Sequence, residues 1–291
     1  MKINVRLVIF IGKLVSGISK AFQLGAGATW AGEVALRIDL HILSSFTSQF
    51  QEGIILVAGT NGKTTTALMI KTILEAKGLR VVHNASGANL LNGIVSACIQ
   101  SANWFGDIDA DYGVFEVDEN SLPAVMAELK IKNLNLKLIV VLLNLFRDQL
   151  DRYGEVDVIA QKWERALRGS NAIIIANADD PLVAHLGLHA KTTFFGINDK
   201  TKFLPKMEHA TDSIFCLHCG ERLTYEGVYF SHLGIWRCTK CGEKRPAPDV
   251  FDASSPLPGL YNLYNTLATV SVAKILGIKA DMAGLHPAFG R

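Results

Sequence analysis

The stretch Val57-Ala58-Gly59-Thr60-Asn61-Gly62-Lys63-Thr64-Thr65-Thr66 constrains this chain more than any other. It follows the apolar run Ile54-Ile55-Leu56 and leads into Ala67-Leu68-Met69-Ile70. An apolar run, a glycine-bearing turn and a second apolar-rich run read as strand, turn and helix. Gly-Lys-Thr at the end of such a turn closes a phosphate-binding loop. The full pattern would need a glycine at position 57, where this chain has Val57. The glycines stand at 59 and 62 instead, so the loop is a shortened form. Its physics is unchanged. Small residues let backbone N–H groups approach phosphate oxygens, and the helix that follows adds the positive end of its dipole. Lys63 suits the β- and γ-phosphates, and the Thr64 hydroxyl suits a magnesium shell. A tight turn with a solvated lysine is the competing reading. Strand, glycines, lysine and three threonines together weigh against it.

The rest of the chain repeats the alternation. Residues 54–58, 80–86, 112–119, 136–145 and 171–180 read as strands or strands running into loops. Residues 63–77, 89–101, 155–167 and 258–277 read as helices. This predicts an α/β fold of the P-loop type, with a mostly parallel sheet covered on both faces. Ligands of such sheets bind at the carboxyl ends of the strands. The polar clusters 59–65, 116–119, 144–151 and 177–180 fall there. Magnesium takes hard oxygen ligands. Glu116, late in Val114-Phe115-Glu116-Val117-Asp118-Glu119, is the leading carboxylate, with Asp118 and Glu119 as alternatives.

Residues 214–245 break the rhythm. Cys216/Cys219 and Cys238/Cys241 form two C-x₂-C pairs with 18 residues between them. That spacing predicts a four-cysteine zinc ribbon of two short hairpins, inserted in the main domain. Four thiolates close the coordination sphere, so the zinc would be structural. His218 and His232 are competing ligands. The fifth cysteine, Cys98, lies in an apolar helix and reads as core. Reduced, metal-binding cysteines point to a cytoplasmic setting.

At the N-terminus, Arg6, Lys13 and Lys20 recur every seven residues in an apolar background, on roughly one helical face. Lys13 interrupts the apolar run well short of the ~20 residues a membrane span needs. A helix packed on the domain, one that also touches a membrane surface, and a signal peptide are the three readings. Hydrophobic residues make up 49% of 291, enough for a sizeable core. The net charge of +2, with no long basic block, gives no support for nucleic acid as a partner.

Gly-Thr-Asn-Gly-Lys-Thr-Thr-Thr is more specific than a generic phosphate loop. It resembles the ATP site of the Mur ligase family, which joins amino acids or amines to carboxylates of cell-wall precursors. Further stretches resemble the family in the same order. These are Phe115–Glu119, Asn144–Trp163, Asn177–Pro181, the Gly-…-Asn-…-Asn-…-Ala helix at 259–273, and Phe289-Gly290-Arg291. The resemblance implies ATP contacts at Gly59, Thr60, Asn61, Gly62, Lys63, Thr64, Thr65, Asn144, Asn262 and Asn265. It implies magnesium at Thr64 and Glu116, with Lys63 and Glu116 carrying the catalysis. Lys162 takes the place of a lysine that the family often carries carbamoylated, and a plain lysine–carboxylate contact is the alternative. Gln149 stands where the family has a metal-binding His.

Gln149 and the four-cysteine insertion resemble an amidating branch of the family. That branch pairs, as a heterodimer, with a GatD-type glutamine amidotransferase subunit. The expected reaction is ATP-driven amidation of the α-carboxylate of D-glutamate in the lipid II stem peptide, through an acyl phosphate. Another Mur-type amino acid ligase, or an ATP-binding module without full activity, are the alternatives. The domain plan implied is an N-terminal helical arm (1–50), an ATP-binding central domain (51–285) holding the zinc ribbon (214–245), and the start of a linker (286–291) to an absent C-terminal ligase domain. The expected location is the cytoplasm, with a peripheral position at the inner face of the membrane as the alternative.

Overall fold

The computed structural model describes residues 5–21, 27–84, 87–129, 136–147, 155–188, 191–205 and 212–282. Helices α1 (Val5–Ala21), α2 (Gly27–Ile38) and α3 (Ile42–Thr47) come first. Then follow β1 (Gly53–Ala58), α4 (Lys63–Glu75), β2 (Val81–His83), α5 (Leu91–Ser101), β3 (Tyr112–Val117), α6 (Leu122–Glu128) and β4 (Lys137–Leu142). Helix α7 (Glu155–Leu167), β5 (Ile173–Asn177), α8 (Pro181–Gly187), β6 (Thr192–Phe195), β7 (Thr224–Phe230), β8 (Leu233–Arg237) and α9 (Leu260–Leu276) complete the described elements. Gln149, the residues around it and Phe289–Arg291 lie outside the described residues, as do the expected linker contacts.

Six strands form one sheet in the order β2-β3-β1-β4-β5-β6, and β7 pairs with β8 alone. The β2–β3, β4–β5 and β5–β6 registers are parallel, and β7–β8 is antiparallel. The fold is therefore α/β with a mostly parallel sheet. Every residue of β1 and β3 is buried, as expected of strands covered on both faces.

Two compact units make up the chain. The first is Met1–Val57 with Leu74–Leu138. In it α1 packs on α2, and α2 on α5. The Gly32 N–H donates to Ser96 Oγ at 2.7 Å where α2 meets α5. The second unit is Ala58–Ile73 with Ile139–Arg291. In it α8 packs on β5 and α7, and α9 on β5 and β6. Helix α8 starts sharply: Asp180 caps it by accepting from the N–H groups of Leu182 and Val183, and Pro181 fills its first turn. Helix α9 begins after Gly259 and stops at Gly277, whose left-handed backbone (φ 68°) turns the chain away.

The structure differs from the sequence reading in places with local causes. Strand β4 ends at Leu142, before Asn144, because the next residues bond the loop after β1. Helix α4 ends at Glu75, where a turn closes with the Gly78 N–H on the Glu75 carbonyl. The cysteine segment holds one hairpin, β7–β8, and two single-bridge knuckles, Phe215↔Arg222 and Arg237↔Lys244, in place of two hairpins.

Candidate functional site

In the second unit, residues 59–62 join the end of β1 to the start of α4. Gly59 (φ +148°) and Gly62 (φ +88°) hold backbone conformations that side chains disfavour. Space is short as well. A Cβ on Gly62 would lie 2.2 Å from Asn265 Oδ1, and one on Gly59 would lie 2.9 Å from Leu143 Cβ. Both glycines are thus fixed by conformation and by close approach. The loop presents its small residues at the N-terminus of a 13-residue helix, the arrangement that favours phosphate. Lys63 folds back over it, donating from Nζ to the carbonyls of Gly59 (2.6 Å) and Thr60 (3.0 Å). An incoming phosphate would offer that ammonium a charged acceptor in place of neutral ones. Thr64 is exposed at the first turn of α4, and the Thr66 hydroxyl is buried one turn in.

The segment after β4 supports the loop from beneath. The Thr60 N–H donates to the Asn144 carbonyl (3.0 Å). The Asn61 N–H donates to Asn144 Oδ1 (2.9 Å), and Asn144 Nδ2 donates back to the Asn61 carbonyl (3.0 Å). The Phe146 N–H donates to Thr60 Oγ1 (2.9 Å), which donates to the Phe146 carbonyl (3.2 Å). The Asn144 amide therefore holds the loop's backbone. On α9, Asn265 Nδ2 donates to Asn262 Oδ1 (3.3 Å), and Asn262 Nδ2 donates to the Pro258 carbonyl (2.7 Å). The 59–62 loop, Asn144 and Asn265 are thus brought together within one unit. Lys162 is exposed on α7.

Glu116 belongs to the first unit. It is 1% exposed at the end of β3, and its Oε1 accepts from the Gly87 N–H at 3.0 Å. Asn84, after β2, clamps its backbone: the Glu116 N–H donates to Asn84 Oδ1 (2.9 Å), and Asn84 Nδ2 donates to the Glu116 carbonyl (2.9 Å). Asp118 instead closes a local turn, accepting from the Asn120 N–H. A buried carboxylate held by a backbone donor is an oxygen ligand of the kind magnesium takes.

The four sulfurs of Cys216, Cys219, Cys238 and Cys241 lie within 4.8 Å of one another. The nearest pairs are Cys219–Cys238 at 3.5 Å and Cys216–Cys241 at 3.6 Å. Four soft donors at this spacing fit a tetrahedral metal such as zinc. Burial pushes the Cys216 thiol up, whereas the Cys241 backbone N–H holds Cys238 low. A second layer follows. Glu243 Oε2 lies 3.8 Å from Cys216 Sγ, and Glu243 Oε1 lies 2.7 Å from His185 Nδ1. Neither competing histidine is part of the described cluster. His232 is fully buried elsewhere, with Nε2 at 3.2 Å from Asp180 Oδ2. Cys98 is buried in α5, where desolvation raises its thiol far above the usual range.

The polar cluster at the exit of β5 binds protein rather than lying open. Asp179 accepts from Arg245 Nε (2.5 Å), Tyr264 Oη (2.8 Å) and the Ile197 N–H (2.9 Å). Asp180 caps α8 and accepts from the Leu145 N–H (2.8 Å). Asn84, Phe146, Asp179, Asp180 and Tyr264 escaped the sequence reading as supports. For all but Tyr264, which lies on α9, strand-exit position is the available signal, and it marks support and ligand residues alike.

Residues 57–273 match the Mur ligase middle domain. The chain is 30% identical to the lipid II isoglutaminyl synthase (glutamine-hydrolyzing) subunit MurT of Staphylococcus aureus, over 93% of this chain and 63% of that protein. It is 32% identical to the MurT subunit of Streptococcus pneumoniae, over 92% of this chain and 63% of that protein. The chain thus spans under two thirds of the length of these relatives. Among solved structures it resembles a pseudomurein peptide ligase type C from Methanothermus fervidus, with TM-score 0.64 and 26% identity over 86% of this chain and 52% of that one. MurF ligase from Thermotoga maritima shares the fold at TM-score 0.54 and 16% identity, over 87% of this chain and 52% of that one. With a glycine-bearing loop at the head of α4 and this match over most of its length, the chain belongs to the Mur ligase family.

Proposed function

We propose that this chain is the nucleotide-binding part of an ATP-dependent carbon–nitrogen ligase of peptidoglycan synthesis, of the MurT type. The observation that carries this reading is the phosphate loop: two obligatory glycines, Lys63 poised over the loop, and support from Asn144. The likeness to MurT subunits directs it toward amidation.

The chemistry follows from the substrate. A carboxylate is a poor electrophile. Transfer of the γ-phosphoryl group to one of its oxygens makes an acyl phosphate and releases ADP. Ammonia then attacks the carbonyl carbon, phosphate leaves, and an amide remains. Lys63 and the N-terminus of α4 offset the charge on the phosphates during transfer. Bound magnesium would spread that charge further. Thr64 would offer that ion a hydroxyl ligand, and Glu116 is the candidate carboxylate that the family resemblance implies. The proposed substrate carboxylate is the α-carboxylate of D-glutamate in the lipid II stem. The proposed ammonia source is a GatD-type glutamine amidotransferase partner.

The four cysteines form a structural zinc ribbon in this reading, and Lys162 is the candidate for carbamoylation. The domain plan is an N-terminal arm (1–50) and a central ATP-binding domain (51–285) holding the ribbon. We place the chain in the cytoplasm, with a peripheral contact at the inner membrane face as a second reading. For that second reading, Leu7, Phe10 and Leu14 point outward from α1, which carries no Asp or Glu, and Lys13 Nζ lies over the ring of exposed Trp104. No described helix is long and apolar enough to cross a membrane.

The test combines the chain with lipid II, glutamine, magnesium–ATP and a GatD-type partner. Mass spectrometry of the product then reads the exchange of one hydroxyl for an amino group. Amidation supports the full reading. ATP binding with addition of an amino acid would move the reading to another Mur-type ligase. ATP binding with no product would leave a nucleotide-binding module.

A further inference from the structure

The 18 residues between the cysteine pairs are the β7–β8 hairpin with its flanks. The cysteines close its base: Cys219 precedes β7 and Cys238 directly follows β8. Its tip is the two-residue turn Ser231-His232 between the paired Phe230 and Leu233. Ser231 takes a left-handed conformation there (φ 50°), which turns the chain sharply.

That tip sits against the support of the phosphate loop. The rings of His232 and Phe146 lie 4.7 Å apart, and those of Phe230 and Phe146 lie 5.9 Å apart. Phe146 is the residue whose backbone brackets Thr60 Oγ1 on both sides. His232 is 0% exposed and anchored by Asp180, which also receives the Leu145 N–H. One carboxylate therefore fixes both the hairpin tip and the residue next to Phe146. Farther down the hairpin, the Gly234 N–H donates to the Asp179 carbonyl (2.9 Å) and Trp236 Nε1 to the Ala178 carbonyl (3.0 Å). The hairpin is thus seated along the exit of β5, with its tip directed at residues 145–146.

We infer that His232 is a positioning residue for nucleotide binding: it holds Phe146, and Phe146 holds Thr60 in the phosphate loop. This rests on the reading of that loop as an ATP site. A loop that contributes backbone donors binds well only when those donors are held in place before the ligand arrives. A closed hairpin base limits how far the tip moves, so the cysteine cluster serves the nucleotide site from a distance.

The experiment measures magnesium–ATP affinity by calorimetry on the full chain, well below each variant's melting temperature. His232→Ala is compared with Tyr225→Phe, which removes only the Tyr225 hydroxyl bond to the Ser213 carbonyl in the same hairpin. The expected result is that His232→Ala weakens ATP binding about tenfold or more, whereas Tyr225→Phe leaves it unchanged. A purely structural role would lower the melting temperature of His232→Ala and leave the affinity of the folded protein intact, which overturns the inference. Should His232→Ala not fold, Phe230→Ala carries the test, since Phe230 is 43% exposed and its truncation opens no core. It is expected to weaken ATP binding in the same direction, and wild-type affinity there also overturns the inference. Failure of the wild-type chain to bind magnesium–ATP would instead overturn the reading of the loop.

Discussion

Asn144 grips the backbone of Asn61 on both sides of its Cα: its Oδ1 accepts the Asn61 N–H at 2.9 Å and its Nδ2 donates to the Asn61 carbonyl at 3.0 Å. No hydrophobic residue of similar size can replace this two-way contact. Asn144→Ala leaves both backbone groups without their partner, and we predict a stability loss of about 1–3 kcal/mol. Asn144→Asp retains the acceptor but sets a carboxylate oxygen against the Asn61 carbonyl, so it too falls below wild type. Chemical denaturation of the three proteins checks the order. Equal stability of all three would show that the loop does not depend on Asn144.

Gly62 meets two constraints at once, a φ of +88° and a Cβ position 2.2 Å from Asn265 Oδ1. Gly62→Ala is predicted to cost roughly 1–3 kcal/mol in strain and to weaken ATP binding. Adding Asn265→Ala removes the clash and leaves the backbone strain. The double variant should therefore recover part of the stability, and a thermal melt series reads that coupling. Strictly additive losses would contradict the close approach of α9 to the loop.

The cysteine cluster predicts one tightly held zinc per chain. Native mass spectrometry should show a single zinc in wild type and in Cys98→Ala, and none in Cys238→Ser. Stripping the metal should lower the melting temperature, because closure of the hairpin is part of the folding free energy. Retention of zinc by Cys238→Ser would place the metal elsewhere.

Asp111 supplies a pH signature in the first unit. The Arg80 backbone N–H donates to its Oδ2 at 2.7 Å, and with the Arg80 side chain holds the carboxyl below the usual carboxylate range. A folded-state pKa below the unfolded value means that the native state binds fewer protons there. The contribution is present above the unfolded pKa of about 3.9 and fades as pH falls through the lower folded value. Asp111→Asn should therefore lower stability at neutral pH and leave the acid end little changed, which flattens the acid limb of the profile. An unaltered acid limb would remove Asp111 from that role.

Much of this fold is legible because apolar runs of strand length alternate with amphipathic runs. Strand β1, α4 and α7 follow directly from that pattern, and α7 spans Glu155–Leu167 as its periodicity requires. Short elements carry too few residues for a period to register. Thus β6, of four residues, and α8, of seven, emerge only in three dimensions. At the site, glycines, Lys63 and paired cysteines announce themselves because their chemistry is local in sequence. Asn84, Phe146 and Asp180 do not. Their partners lie far along the chain, as with the 86 residues between Thr60 and Phe146. His232 shows the same limit from the other side. Its type and position between the cysteine pairs suggest a ligand, and only its contact with Asp180 shows a tie to β5's exit.

The most direct measurement is a magnesium–ATP binding isotherm for the wild-type chain beside Lys63→Ala. Lys63 rests on the Gly59 and Thr60 carbonyls, within the loop that phosphate would fill. The account predicts saturable, magnesium-dependent binding by wild type and a loss of about tenfold or more in Lys63→Ala. Equal binding by the two proteins, or none by the wild type, would contradict it.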